Sequence, residues 1–206
     1  MTDEKEFALL NSFLRPGDWA LDIGANVGHY TMRMAELVGR SGRVLAFEPV
    51  PDTFALLTAN ARLLKDENVS LFNIAASDGV AAVNIEIPRS SDGVTNFYLA
   101  HLSPNESGLL VLTFAIDQMS LPTIRLVKID VEGHELPVLN GMRALLERDR
   151  PVIIIETHAQ TTLDLLSGLG YAIERLPDSS NVLCRHPGRS SGARDFEGTM
   201  MEQSKS

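Results

Sequence analysis

Short apolar runs and longer segments of helical period alternate along the chain. Runs at 19–23, 43–47, 69–74, 124–129 and 151–155 are rich in large or β-branched apolar residues and read as buried strands. Residues 3–14 set Phe7, Leu10 and Leu14 on one side and stop at Arg15-Pro-Gly-Asp18, which predicts a short amphipathic helix packed across a sheet edge or over a ligand. Residues 30–38 repeat with helical spacing. Pro51 opens a helix expected to run through Leu64, with Phe54, Leu57, Ala61 and Leu64 facing inward. Glu135 and Pro137 sit well in a first helical turn, so a helix is expected from there to about Leu146. A last helix spans 162–167 and closes at Gly168. Strands alternating with helices predict an open, mostly parallel α/β sheet covered on both faces.

Two stretches leave this alternation. Residues 80–87 alternate apolar and polar, Ser90-Ser-Asp-Gly93 is a turn, and 94–102 and 109–114 read as extended with no helix between. They predict a small antiparallel insertion around 80–114, where Asn96, Tyr98 and His101 are candidate substrate contacts. The substrate pocket is expected to draw its lining from 88–110 and the N-terminal helix. Near the other end, 171–176 and 181–185 form a hairpin joined by Pro-Asp-Ser-Ser180. From Pro187 onward Gly, Ser, Arg and Glu dominate. The expectation is one domain over 1–186, with its core over 19–186, and a disordered tail over 187–206.

The chemistry gathers where strands end. The first strand runs into Asp22-x-Gly24-x-Asn26-x-Gly28, a strand–turn–helix unit whose glycines admit close approach of a ligand to backbone N–H groups. A dinucleotide fingerprint needs a second Gly two residues after the first, to make room for a pyrophosphate, and Asn26 stands there instead. The pattern looks more like the loop with which methyltransferases hold S-adenosylmethionine, a cofactor without phosphate. Asp22 would answer its amino group. Glu48 ends the second strand, twenty residues after Gly28, where a carboxylate accepts both ribose hydroxyls. Small residues in Ala75-Ala-Ser-Asp-Gly79 leave a slot for a flat base, with contacts expected from 73–76.

In Val-Lys-Ile-Asp-Val-Glu-Gly-His-Glu135, the residues Lys128, Asp130 and Glu132 point to one side of the sheet mouth. The strand they end should lie beside the first, which brings Asp130 near Asp22. Methyl transfer to an alcohol is an in-line displacement helped by a general base. His134 and His158 follow the two strands nearest the reacting methyl, and either is a candidate. Asp130 would act directly or orient one of them. His29 opens the first helix as a pocket wall or an exposed residue. A divalent cation such as Mg held by Asp130, Glu156 and His158 is an option, but no metal is part of the expected set.

Composition narrows the partners. A net charge of −9 over 206 residues disfavours nucleic acid, which needs clustered Lys and Arg. One cysteine excludes an intrachain disulfide framework. No apolar run approaches the roughly 20 residues of a membrane helix, and the acidic N-terminus has no signal-peptide core. A cytoplasmic enzyme with a small-molecule or glycan hydroxyl substrate, and neither nucleic acid nor membrane as partner, is the expectation; oligomeric state is not legible. The alternatives are an NAD-binding oxidoreductase and a non-catalytic adenosine-cofactor-binding module. A base methyltransferase would carry an Asn/Asp-Pro-Pro-aromatic segment where Asp130-Val-Glu-Gly133 stands.

Three blocks together resemble the FkbM-family methyltransferases: Asp-Ile-Gly-Ala-Asn-Val-Gly-His-Tyr-Thr31, Ala-Phe-Glu-Pro-Val-Pro51 and Val-Lys-Ile-Asp-Val-Glu-Gly-His-Glu135. Ala-Ala-Ser-Asp-Gly79 and Pro-Val-Ile-Ile-Ile-Glu156 fit as well, so the resemblance spans Trp19 to His158. It implies a class I methyltransferase (Rossmann-like) fold, with a seven-stranded sheet containing one antiparallel strand, and S-adenosylmethionine-dependent O-methylation of sugars, macrolides and other natural products. By position, Asp22, Gly24, Asn26, Gly28 and Glu48 would hold the cofactor and Asp130 would border the methyl; Ala25 and Ala75 complete the expected cofactor contacts. The N-terminal extension is minimal beside many members, which argues against a family-type N-terminal lid.

Overall fold

The computed structural model describes residues 4–87, 101–103 and 108–188. The first unit is β1 (Trp19–Ile23), α2 (His29–Val38), β2 (Arg43–Phe47), α3 (Pro51–Ala61) and β3 (Val69–Phe72), preceded by α1 (Glu4–Phe13). The second is β8 (Ile124–Ile129), α4 (Glu135–Asn140), α5 (Arg143–Asp149), β9 (Val152–Glu156), α6 (Gln160–Gly168), β10 (Ala172–Arg175) and β11 (Asn181–Arg185). Between them lie β4 (Ala75–Ala76), β5 (Ala82–Glu86), β6 (His101–Ser103) and β7 (Leu109–Phe114).

The main sheet has seven strands in the order β10-β11-β9-β8-β1-β2-β3. From β3 to β9 every pairing is parallel, and β11 runs against both of its neighbours. The 176–180 link is too short for a parallel crossover, which takes about a dozen residues or more, so β10 and β11 close as a hairpin. Strand order reverses between β1 and β8, and this places the switch point, where open α/β sheets bind ligands, at Gly24 and Asp130.

Period-two alternation feeds two cores. Leu21, Ile23, Phe47, Val127, Ile129 and Ile155 face α4, α5 and α6. Ala20, Val44, Leu126, Ile154 and Leu183 face the other way, against Met34, Ala35 and Val38 of α2. Helix α1 lies on this second face, where Leu10 and Leu14 are buried and Phe7 meets the Tyr30 ring edge-on at 5.3 Å. The Arg125 guanidinium donates to the Phe13 carbonyl and ties down its end. It therefore packs on a sheet face beside α2, and neither of the two placements expected from sequence is realised.

Helix boundaries differ from the periodicity at two places. The α3 helix ends at Ala61 rather than Leu64, because the N–H of Leu63 turns back to Asn60 and that of Leu64 to Ala61. The single helix expected to Leu146 is two. A Cβ on Gly141 would stand 1.8 Å from the Ser77 carbonyl oxygen, so the chain bends there against the residues after β4. Helix α5 then starts afresh because the Asp117 carboxylate accepts the N–H groups of Ala144 and Leu145 at 2.8 and 2.9 Å.

The insertion is a four-stranded sheet, β4-β7-β5-β6, in which β5 pairs antiparallel with β6 and β7. The antiparallel character expected around 80–114 is present in its described part. The turn at 90–93, Asn96 and Tyr98 lie outside the described residues, as does the tail beyond 188. Among the described residues no helix is long and apolar enough to cross a membrane.

Candidate active site

The turn after β1 is locked between its two neighbouring strands. The N–H groups of Gly24 and Ala25 both donate to the Phe47 carbonyl at 2.9 Å, and the Asp130 N–H donates to Ile23 at 2.9 Å. Gly24 sits at φ 79, and a Cβ there would stand 1.8 Å from the Asp130 carbonyl oxygen. Asn26 is also left-handed, at φ 51, a conformation its short amide tolerates, and its Oδ1 accepts the Val27 N–H. Gly28 precedes α2 at φ 96, and a Cβ there would meet Leu57 Cδ1 at 2.7 Å. Its bareness serves the packing of α2 on α3. Ala25 is buried against Ala46 and Leu57.

Glu48 is the fixed point of the next strand end. Its side chain is buried, with Oε2 accepting the Asn26 N–H and Oε1 the Val50 N–H, each at 2.9 Å. Each carboxylate oxygen keeps a second lone pair. Burial pushes its pKa above the ordinary glutamate value, against the pull of the Val50 and Asn26 N–H groups. Asn73 braces the turn by donating to the carbonyls of Glu48 and Pro49, with its own side chain exposed.

A cavity of about 210 Å³ opens at these strand ends. Gly24, Asn26 and Glu48 form one wall, and Phe47, Val50, Ala75, Ala76 and Ile85 form an apolar slot. Asp130, Glu132, His134 and Glu156 form the remaining wall. The lining thus brings together Gly24, Asn26, Glu48, Ala75, Asp130 and His134 from the expected set. It leaves out Asp22, Ala25, Gly28 and His158. No described residue of α1 contributes, contrary to the expected lining, and the β5 residue Ile85 does.

Asp22 is the clearest departure. Its carboxylate is 1% exposed and accepts the Thr31 hydroxyl at 2.5 Å, on the face covered by α2. Burial raises its pKa to about 6, opposed by the Thr31 hydrogen bond and by Lys128. It is not among the residues that line the cavity, and its carboxylate is turned to Thr31. Thr31 as its partner carried no sequence signal, because nine residues and a turn separate them.

The two candidate histidines part company. His134 precedes α4, lines the cavity, and places Nε2 2.9 Å from the Ser77 hydroxyl. Burial lowers its pKa, with Asp78 pulling the other way. His158 is exposed and off the wall, as is His29. Glu132 was not among the expected site residues. It stands at φ 47 on the wall, and burial together with the charges of Asp130 and Glu156 pushes its pKa up. Its trace in sequence was the alternation that sets it with Lys128 and Asp130 on one side of the sheet mouth. Among the described residues no three His, Cys, Asp or Glu side chains gather to hold a metal ion.

Comparison with known proteins follows the same blocks. A protein-family model described as the Methyltransferase FkbM domain matches residues 22–173. Hexuronic acid methyltransferase AglP of Haloferax volcanii is 32% identical over 143 residues, 67% of this chain and 55% of the relative. The 31-O-demethyl-FK506 methyltransferase FkbM of Streptomyces tacrolimicus is 33% identical over 159 residues, 63% of this chain and 61% of the relative. The chain thus spans a little over half the length of these curated relatives. In shape it resembles the methyltransferase FkbM from Methylobacillus flagellatus, with a TM-score of 0.61 at 17% identity over 88% of this chain and 51% of that one. A SAM-dependent O-methyltransferase from Thermotoga maritima gives 0.55 at 14% identity over 90% and 66%. Both likenesses speak for a class I methyltransferase fold. With the family match running from the end of β1 into β10, the chain belongs to the FkbM methyltransferase domain family.

Proposed function

We propose that this chain is an S-adenosylmethionine-dependent O-methyltransferase acting on a hydroxyl of a sugar or other small natural product. The observation that carries the reading is Glu48: a buried carboxylate at the switch point, held by two backbone N–H groups with one lone pair free on each oxygen. That arrangement suits the two hydroxyls of a ribose. The slot between Val50, Ala75, Ala76 and Ile85 suits a flat base, and Gly24 and Asn26, whose N–H groups are spent on Phe47 and Glu48, would border the remainder. The cofactor supplies a methyl group activated on a sulfonium. The relatives named above act on a hexuronic acid and on 31-O-demethyl-FK506, which supports a sugar or macrolide class of acceptor.

The chain's own work is to orient, shield and deprotonate. Asp130 and His134 share the cavity wall, and the lowered pKa keeps the His134 ring neutral at pH 7, the state a general base needs. In the tautomer whose Nε2–H donates to the Ser77 hydroxyl oxygen, Nδ1 is the nitrogen that would receive the acceptor's proton. His134→Ala should cut turnover by about 10²-fold or more, with cofactor affinity kept. In the wild type the rate should hold to lower pH than an unperturbed histidine allows, then fall as the ring protonates; the variant should lose that acid limb. A rate profile with an unchanged acid limb in His134→Ala would remove His134 from the base role.

Glu48, Asp130, Glu132 and Glu156 line the cavity, and their field favours a neutral or cationic acceptor over an anionic one. In a panel of sugars, a neutral glycoside should be methylated faster than its carboxylate counterpart, and the gap should narrow with added salt. Equal rates for the two would refute the charge selection.

The cofactor reading is tested by calorimetric titration of wild type and Glu48→Ala with S-adenosylhomocysteine and, in parallel, NAD. Binding of the homocysteine compound alone, weakened by the substitution, is expected. Binding of NAD alone would favour an oxidoreductase. Tight binding of the homocysteine compound with no transfer to any acceptor of a broad panel would favour a non-catalytic binding module.

A further inference from the structure

Lys128 is buried inside the sheet, 1% exposed, and does not itself line the cavity. An uncompensated ammonium in such a place is costly, so its partners define its role. Nζ donates to Asn181 Oδ1 at 2.9 Å, lies 3.4 Å from Asp130 Oδ2 and 3.4 Å from the Ile129 carbonyl, and sits 5.1 Å from the Tyr30 ring centroid. Its register partner on β1 is Asp22, so both side chains rise from the same face of adjacent parallel strands.

We propose that Lys128 is a positioning residue, the common counter-ion of Asp22 and Asp130, clamped by Asn181 from β11 and holding the Asp130 carboxylate on the cavity wall. Asp22 stands on β1 before the Gly24 turn and off the cavity lining, and Asp130 follows β8 and lies on it. Without a cation between them, two carboxylates on neighbouring strands repel, and the exposed one is free to swing out. The groups acting on this point are Asp22 and the Thr31 hydroxyl from β1 and α2, Tyr30 from α2, Asp130 on β8 itself, and Asn181 from β11; Glu48 at the end of β2 feels both aspartates. Asp130 pushes the Asp22 pKa up and Lys128 pulls it down, which gives the counter-ion role a signature of sign.

The test follows the Asp22 carboxyl by 13C NMR titration in the full chain, and S-adenosylhomocysteine affinity by calorimetry at pH 7. Lys128→Met should raise the Asp22 midpoint from about 6 by about one pH unit or more, while Asp130→Asn should lower it. Affinity should fall by about tenfold in each, and the double variant should be no weaker than about threefold below either single one, because both act through one carboxylate. Shifts of the same sign, an unmoved midpoint in folded Lys128→Met, or affinity losses that multiply would overturn the proposal. Should Lys128→Met fail to fold, Asn181→Leu keeps the charge and removes the clamp. It should then shift the midpoint upward by a smaller amount and weaken binding, and wild-type values for both would overturn the proposal. The affinity arm rests on the cofactor reading, and the carboxyl titration of the free protein does not. A wild type that binds no S-adenosylhomocysteine would sink the former alone.

Discussion

Glu48→Ala is expected to weaken S-adenosylhomocysteine binding by about a hundredfold or more, since two hydrogen bonds to a charged group contribute about 1.5–3 kcal/mol each. Calorimetry at pH 7 measures the loss. The substitution acts twice. It removes the proposed acceptor for two ribose hydroxyls, and it leaves the Asn26 and Val50 N–H groups without the carboxylate that now orders their turns. Glu48→Gln does not rescue the site, because an amide nitrogen would face one of those two N–H donors. The wild type should also show a pH effect of definite sign. Accepting from both hydroxyls needs the ionised carboxylate, and burial has raised its pKa above the usual value. Affinity should therefore begin to fall on acidification at a higher pH than an ordinary glutamate would give, and the variant should lack that dependence. Binding within about twofold of wild type in a folded Glu48→Ala would withdraw the ribose role from this residue.

Gly24→Ala is expected to be the most damaging small substitution in the chain. At φ 79 any side chain is strained, and this one would press its Cβ to 1.8 Å from the Asp130 carbonyl oxygen and 2.7 Å from its carbon. Neither side can retreat cheaply. The Gly24 N–H is bonded to Phe47, the Asp130 N–H to Ile23, and β8 is held between β1 and β9. The expected cost is on the order of 3 kcal/mol or more, with loss of cofactor binding, because the turn and the Asp130 wall move apart together. Gly17→Ala is the control. Its φ is 95, but the added Cβ would meet only Ser41 Oγ at 3.7 Å, so the cost should stay near the backbone strain of about 1–2 kcal/mol. Urea denaturation of both variants gives the comparison. Equal destabilisation would show that strain at φ, and not the closeness of β8, governs Gly24.

The line between what was legible in sequence and what was not runs through particular residues. Strand positions and their inward faces were legible, because the two-residue period of a strand and the helical period are written in neighbouring side chains. The carboxyl ends of β1, β2 and β8 were legible for the same reason, and so the sequence pattern alone sets Glu48 and Asp130 at the sheet mouth, where both line the cavity. The antiparallel hairpin of β10 and β11 followed from a link too short to cross over. The antiparallel pairing of the described part of the 80–114 insertion also followed from alternation.

What failed was convergence across distance. His134 and His158 are equivalent in sequence, each just past a strand end. The tertiary structure puts one on the cavity wall beside Ser77 and leaves the other exposed. Asp22 looked like a ligand contact, but the strand's alternation turns it toward α2 and Thr31. The break between α4 and α5 depends on Gly141 meeting Ser77, and the start of α5 on a cap lent by Asp117. Lys128 reaches Asn181, 53 positions away, over the intervening strand. Sequence by itself determined which residues share a face and where β1, β2 and β8 end, since those depend on a few bonds of local geometry. Which of them meet depended on strand order and on the close approach of backbones at Gly24 and Gly141, set by packing between segments far apart in the chain.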